Sequence, residues 1–260
     1  MLCQYFHRHI GKPLHMKAII LSAGQGSRLL PLTEKKPKCL LPIGGKTLLE
    51  WQIDHLVQAG VKSFVIVVGF FAEEVEAQLK KIQYPGVQIR TLFNPFYKVA
   101  DNLGSCWLAR SEMTGDFMIV NGDTLFEVEV ARRLLNNPKS DITVTVDTKD
   151  SYDADDMKVK RQGSRLLEIG KTLPLDQVNA ESIGMLLFRG QGGVDFSSQV
   201  DQSMRSQEGL KWWYLRIIGL IAQRKTVETC LIHGLQWGEV DFPADLTKAE
   251  ILVKNWGRKK

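Results

Sequence analysis

Residues 21–50 read LSAGQGSRLLPLTEKKPKCLLPIGGKTLLE. The stretch follows an apolar run, Ala18–Leu21, and leads into a helical pattern, Thr47–Ala59, closed by Gly60. Between them lie Gly24, Gly26, Arg28, Pro37 and Lys38. Glycines directly after a strand let backbone N–H groups approach an anion closely, as phosphate-binding loops require. Arg28 adds a cation there, and Lys38, whose approach is restricted by Pro37, adds a second. Two readings stay open on the loop alone: a polyphosphate cradle, or a tight strand-to-helix turn followed by a solvated basic segment, since Lys35 and Lys36 are adjacent. A dinucleotide fingerprint fails at its third glycine position, which holds Leu29.

Working outward, the helical pattern is followed by the strand pattern FVIVVG (Phe64–Gly69), which completes a βαβ unit and predicts a parallel sheet. Further alternation follows: a helix near Ala72–Lys81, a strand near Val87–Phe93, a helix near Leu103–Ser111 and the strand in DFMIVNGD. The continuously apolar Phe117–Val120 belongs inside a sheet covered on both faces. Ligands in such folds bind beyond the carboxyl ends of the strands, where the Gly24 loop and Asn121-Gly122-Asp123 both fall. After the strand DITVTVD the pattern weakens into shorter pieces, MKVKRQGSRLLEIGK with a turn at Gln162-Gly163, and ESIGMLLF. A helix over Leu210–Gln223, a strand in ETCLIHG and a helix over Pro243–Val253 complete the expectation. The predicted organisation is a leader over 1–15, one domain over 16–255 and a basic tail over 256–260.

The chain has 260 residues, 44% of them apolar, and a formal charge of +5. Six cations, Arg8, Lys12, Lys254, Arg258, Lys259 and Lys260, lie in termini that contain no acid, so removing them from +5 leaves residues 17–253 at −1. A nearly neutral body excludes a broad nucleic-acid-binding face. Cys3, Cys39, Cys106 and Cys230 have neither disulfide-framework nor zinc-knuckle spacing, which suits a reducing cytoplasm. The leader MLCQYFHRHIGKPLH lacks the apolar core of a secretory signal and reads as a disordered tail, although Cys3, His7, His9 and His15 are metal-ligating types. The apolar segment from Trp212 contains Arg216 and is too short to span a bilayer.

The thirty residues from Leu21 resemble, without a gap, the signature of the nucleotidyltransferases that join a nucleoside triphosphate to a sugar phosphate or alcohol phosphate. The later NGD and EVD motifs resemble the same family in the same order. The resemblance implies an α/β, Rossmann-like nucleotidyltransferase fold with a mixed, mainly parallel central sheet flanked by helices. It implies that Leu21, Ala23, Gly24, Gly26, Ser27 and Arg28 bind nucleotide, with Arg28 and Lys38 catalytic. Asp123 and Asp241 would carry Mg²⁺, with Glu239 nearby; taken singly, Asp123 also reads as a turn residue and Asp241 as a helix cap before Pro243. Asp101-Asn102-Leu103-Gly104-Ser105 is similar to the cytidylyltransferase branch, phosphocholine cytidylyltransferases in particular, and makes Asn102 and Ser105 active-site residues. Asp101 or Asn102 equally reads as a helix cap.

By the same resemblance Lys158 and Lys171 would face the acceptor phosphate, and Glu181 and Gly184 would border its pocket. Trp213, with Trp212 and Tyr214, either boxes a quaternary ammonium or packs in the core. The segment LKWWYLR carries Lys211 and Arg216 where acids are expected beside choline, which leaves a more anionic or hydroxylated acceptor open. The expected partners are a nucleoside triphosphate, CTP in the favoured reading, and a small phosphorylated acceptor, with no nucleic acid; a homodimer is compatible. The alternatives are a sugar-1-phosphate transferase using UTP, dTTP or GTP, and a nucleotide-binding regulatory subunit without turnover.

Overall fold

The computed structural model of the protein describes residues 16–138 and 140–258. The leader 1–15 with Cys3, His7, His9 and His15 lies outside them, as do Lys259 and Lys260. In chain order the elements are β1 (Lys17–Ser22), β2 (Pro42–Ile43), β3 (Lys46–Thr47), α1 (Leu48–Gln58), β4 (Ser63–Val68), α2 (Ala72–Leu79), β5 (Gln88–Phe93) and α3 (Asn102–Leu108). Then come β6 (Phe117–Asn121), β7 (Thr124–Phe126), α4 (Val128–Leu135), β8 (Ile142–Asp147), β9 (Lys158–Gln162), β10 (Arg165–Gly170) and β11 (Ala180–Phe188). The chain continues through α5 (Gln191–Met204), α6 (Tyr214–Ala222), β12 (Glu228–Leu231), β13 (Trp237–Glu239) and α7 (Pro243–Arg258).

Nine strands form one mixed sheet in the order β5-β4-β1-β6-β11-β8-β12-β10-β9. The block β5-β4-β1-β6 is parallel, as is β8-β12, and β11 joins the two antiparallel to both neighbours. Side chains alternate across each strand, so the two faces bury different sets. Ile19, Val65 and Ile119 pack with Leu103, Phe196 and Ile217 under α3, α5 and α6. Ala18, Ile66 and Val120 pack with Ile53, Val75 and Leu134 under α1, α2 and α4. A third cluster of Leu29, Ile43, Leu48, Leu125, Val240 and Val253 fixes the glycine loop and α7 to the sheet end.

Local sequence explains α1. Thr47 accepts from Glu50 N at 3.2 Å while Glu50 Oε2 accepts from Thr47 N at 2.6 Å, a reciprocal cap. Gly60, at φ 101°, supplies the left-handed residue that ends it.

The helix predicted from Leu210 begins only at Tyr214, and Trp212 and Trp213 are extended. The start of α3 takes the groups a longer helix would need: Leu210 O accepts from Asp101 N at 2.7 Å, Trp212 O from Leu103 N at 3.3 Å, and Asn102 Oδ1 caps Tyr214 N at 2.9 Å. At the other terminus α7 continues to Arg258, past the boundary drawn at 255. Among the described residues no helix is long and apolar enough to cross a membrane. Cys39, Cys106 and Cys230 are buried free thiols.

Candidate active site

The glycine loop leaves the carboxyl end of β1 beside that of β6. Gly122 N donates to Leu21 O at 3.0 Å, and a Cβ on Gly122 would lie 2.4 Å from that oxygen, so only glycine lets the two strand ends meet. A Cβ on Gly24 would meet nothing within 4 Å, which leaves its backbone open to a ligand. Gly26 is left-handed at φ 75°, and its Cα face lies on the Lys38 stem, where a Cβ would be 2.8 Å from Cδ. Thr33 Oγ1 donates to Gly26 O at 2.8 Å and ties the loop down. Ser27 and Arg28 stand exposed on the short turn that follows.

Lys38 emerges from its own short turn, anchored by buried Cys39 and Leu40. Its ammonium lies between two carboxylates, 2.9 Å from Asp123 Oδ2 and 2.6 Å from Asp241 Oδ1. Burial draws the Lys38 pKa down, but Asp123 and Asp241 outweigh it and the net shift is upward. The pairing of β7 with β13 brings the two aspartates together: Glu239 lies opposite Thr124, and Val240 N donates to Asp123 O at 3.1 Å. Arg28 Nη1 lies 3.4 Å from Asp241 Oδ2, and its guanidinium covers the Phe242 ring at 5.4 Å. Burial, then the nearby charges of Asp123 and Asp241, push the Glu239 carboxyl up to about 8. Glu239 is exposed by surface area, so burial counts for less there, and the direction rests on the like charges of Asp123 and Asp241, which Lys38 only partly offsets.

Asp123 Oδ1 is buried without a hydrogen-bond partner, while Oδ2 is directed at the same point as Asp241. Among the described residues no group of three or more His, Cys, Asp or Glu could hold a metal by itself. Two carboxylates on one point, with a spare buried oxygen, suit a hard divalent ion that takes its remaining ligands from water and phosphate, as Mg²⁺ does. The donor set therefore fits Mg²⁺ shared with a triphosphate.

Two pockets flank this centre. The smaller, about 240 Å³, lies over the β1 and β6 ends and is lined by Leu21, Ala23, Gly24, Asn102 and Ser105, among others. Ser105 is buried and accepts from Asn94 Nδ2 at 3.0 Å, a contact the sequence did not signal. Asn102 lines the pocket, but its side-chain oxygen is engaged by Tyr214 N, so its position is fixed by helix capping. Tyr214 is fully buried and donates to Asn121 Oδ1 at 3.1 Å. Gly184, at φ 71°, faces the Asn121 side chain from a bulge in β11 and lines neither pocket.

The larger pocket, about 630 Å³, opens on the other side of Asp241 toward Glu181 and α7. Glu181 is buried, and its wall is held by Lys149, which pairs with Asp156 at 2.7 Å and Glu181 at 3.0 Å. Burial pushes Glu181 up to about 7 against the pull of Lys149. Lys149 escaped sequence reading because DTKDSYDADD has no periodicity that marks one lysine among its acids.

Lys158 requires a correction. It is buried, and its ammonium donates to the Asp153 and Lys171 carbonyls, where it fastens two loops instead of facing a phosphate. Lys171 does reach the site's edge, 3.9 Å from Asp155, which also lies 3.6 Å from Arg28. Trp213 is half-exposed beneath Lys171, 4.9 Å from ring centre to ammonium. Trp212 packs against the core with Arg216 over its ring at 4.0 Å, so the aromatic pair forms no box.

A glycine loop over the strand ends, two cations and two convergent carboxylates define a site for a nucleotide polyphosphate. The model of the nucleotidyl transferase family matches residues 17–157, more than half of the chain, and the chain belongs to that family. The chain is 30% identical over 243 residues to the bifunctional IPC transferase and DIPP synthase of Aquifex aeolicus, covering 91% of this chain and 52% of that relative. It is 36% identical over 112 residues to the choline-phosphate cytidylyltransferase of Streptococcus pneumoniae, covering 43% of this chain and 47% of that one. The chain thus spans about half the length of these relatives.

A solved CTP:phosphocholine cytidylyltransferase from Streptococcus pneumoniae superposes with a TM-score of 0.75 at 23% identity, covering 92% of this chain and all of that one. The UDP-glucose pyrophosphorylase of Acinetobacter baumannii gives 0.75 at 15% identity, covering 94% and 98%. At such identities the likeness establishes the fold, which sugar and alcohol nucleotidyltransferases share.

Proposed function

We propose that the chain transfers CMP from CTP, with Mg²⁺, to the phosphate or phosphonate oxygen of a small alcohol-derived acceptor and releases pyrophosphate. The observation that carries this reading is the Lys38 ammonium held between Asp123 and Asp241 at the foot of the glycine loop. The preference for a cytidine nucleotide is supported by the likeness to the choline-phosphate cytidylyltransferase.

In the reaction an oxygen of the acceptor forms a bond to the α-phosphorus of the triphosphate, and the bond from that phosphorus to the α,β-bridging oxygen breaks. The electron pair leaves with pyrophosphate. The acceptor is already an anion, so no protein group has to remove a proton. Asp123 and Asp241 would hold Mg²⁺, whose charge neutralises the phosphates and aligns them for in-line displacement. Gly24 and Gly26 present open backbone to the triphosphate, and Arg28 and Lys38 offset the charge that grows as pyrophosphate departs.

The test is pyrophosphate release in Mg²⁺ with CTP, UTP, dTTP, ATP and GTP, each against phosphocholine, aminoethylphosphonate, inositol phosphate and several sugar 1-phosphates. Release with CTP and an alcohol phosphate or phosphonate is expected. Release only with another triphosphate and a sugar phosphate would replace the reading with a sugar-1-phosphate transferase, and tight triphosphate binding without any release would indicate a regulatory subunit.

A further inference from the structure

Gly122 and Asp123 alone separate β6 from β7, so the place of the Asp123 carboxylate depends on how that short link is held. Helix α1 holds it with one side chain. Gln52 is 1% exposed, and its Nε2 donates to Asn121 O at 2.7 Å and to Thr124 O at 2.8 Å. These carbonyls belong to the last residue of β6 and the first of β7, one on each side of Gly122-Asp123. A single amide nitrogen thus spends both of its hydrogens on closing the link.

The arrangement costs stability. Gln52 lies on the face of α1 that buries Leu49, Ile53 and Leu56, and among the described residues its buried Oε1 has no hydrogen-bond partner. Turning the amide over would set Oε1 against two carbonyl oxygens, so the orphaned acceptor follows from the two bonds that Nε2 makes. An apolar side chain of similar size would fill the same space without a buried unsatisfied oxygen.

Two further backbone groups of the link are bonded: Gly122 N donates to Leu21 O at 3.0 Å, and Asp123 O accepts from Val240 N at 3.1 Å. The Val240 bond sets Asp123 against the segment that carries Asp241, and the Gln52 bonds set it against α1. His55, one turn further along α1, makes a comparable buried bond away from the link: its Nδ1 donates to Phe126 O at 2.5 Å, at the other end of β7.

We infer that Gln52 is a positioning residue for the nucleotidyl-transfer centre: by closing the link from Asn121 to Thr124 it fixes the Asp123 carboxylate at the spacing from Asp241 that a divalent cation requires. The role rests on Asp123 and Asp241 holding that cation. Groups that orient a metal ligand from behind typically carry about 10- to 100-fold in metal affinity or activity.

The test compares Gln52→Met, which keeps the volume and removes both donated hydrogens, with His55→Leu, which removes the bond to Phe126 O. Calorimetry with α,β-methylene-CTP in Mg²⁺ and in EDTA gives affinity with and without the cation, and denaturant midpoints give stability. In the parent, Mg²⁺ should tighten binding of the analogue. Gln52→Met should lose about tenfold of that gain while its affinity in EDTA stays at the parent's value. His55→Leu should lower the midpoint and keep the whole gain. Gln52→Glu preserves the side-chain shape but has at most one hydrogen to donate, so it should lose part of the gain even where Gln52→Met does not fold.

Gln52 variants that are less stable yet keep the parent's gain would overturn the inference and leave Gln52 a packing residue. Equal affinity of the parent in Mg²⁺ and in EDTA would overturn it as well, by removing the cation site. Absence of pyrophosphate release from every triphosphate would remove the transfer reading alone, since the two affinities still decide what Gln52 does.

Discussion

Replacing Lys38 with Met removes one charge and keeps most of the stem that Gly26 rests on. The ammonium is within 2.9 Å of two carboxylates, with its side chain only 13% exposed, so neighbouring water cannot substitute for it well. Losing a charge-stabilising donor at a reacting phosphate costs on the order of 2–4 kcal/mol in the transition state. At 1.36 kcal/mol per decade, kcat should fall roughly 30- to 900-fold. The assay is steady-state pyrophosphate release at saturating CTP, Mg²⁺ and acceptor. A second readout follows from the same geometry: without the cation, Asp123 and Asp241 repel, so the variant should melt lower than the parent in EDTA and recover more than the parent when Mg²⁺ is added. An effect confined to KM would refute the placement of Lys38 at the developing charge, and a melting temperature indifferent to Mg²⁺ would refute the two aspartates as a shared cation site.

Asp123→Ala should abolish pyrophosphate release with an unchanged far-ultraviolet spectrum, and undiminished turnover in Mg²⁺ would remove Asp123 from the cation site. Gly184→Ala places a Cβ 2.3 Å from Asn121 Nδ2 at a positive φ, and should destabilise the fold by about 1–3 kcal/mol, read as a lower denaturant midpoint; an unshifted midpoint would mean that Asn121 moves aside freely. Burial raises the Glu181 carboxyl from an ordinary 4.5 to about 7, so its contribution to stability is fully present below the lower value and is lost as pH rises toward the upper. The stability of Glu181→Gln relative to the parent should therefore improve between those pH values, and a difference that stays constant with pH would contradict the assignment.

What was legible in the sequence follows from where the decisive interactions lie. The parallel block was readable because Ala18–Leu21, Phe64–Val68 and Phe117–Val120 are apolar on both faces and are separated by complete helix signals, Thr47-x-x-Glu50 and Gly60 among them. Helix α5 was not readable, since Gly192 and Gly193 depress its propensity. They are required by the sheet: a Cβ on Gly192 would lie 2.0 Å from Asp141 O, and one on Gly193 would lie 2.7 Å from the Phe117 ring. The same competition shortened α6, whose first predicted turn was surrendered to α3.

The site divides along the same line. Gly24, Gly26, Arg28 and Lys38 fall within one local stretch, and their roles follow from backbone freedom and charge. Asp123 and Asp241 are 118 positions apart and meet only because β7 pairs with β13, which residue type alone could not announce. Lys158 and Lys149 make the limit sharper. Both are lysines in polar surroundings of the same half, yet one is buried against carbonyls and the other holds the acidic wall. Which of two such lysines faces the ligand depends on the partners that tertiary structure supplies, and for Lys149 those partners, Asp156 and Glu181, come from a loop and a strand with no common local pattern. The pocket beside Glu181 is therefore specified by convergence of distant segments, while the glycine loop with its two cations is specified by one contiguous stretch.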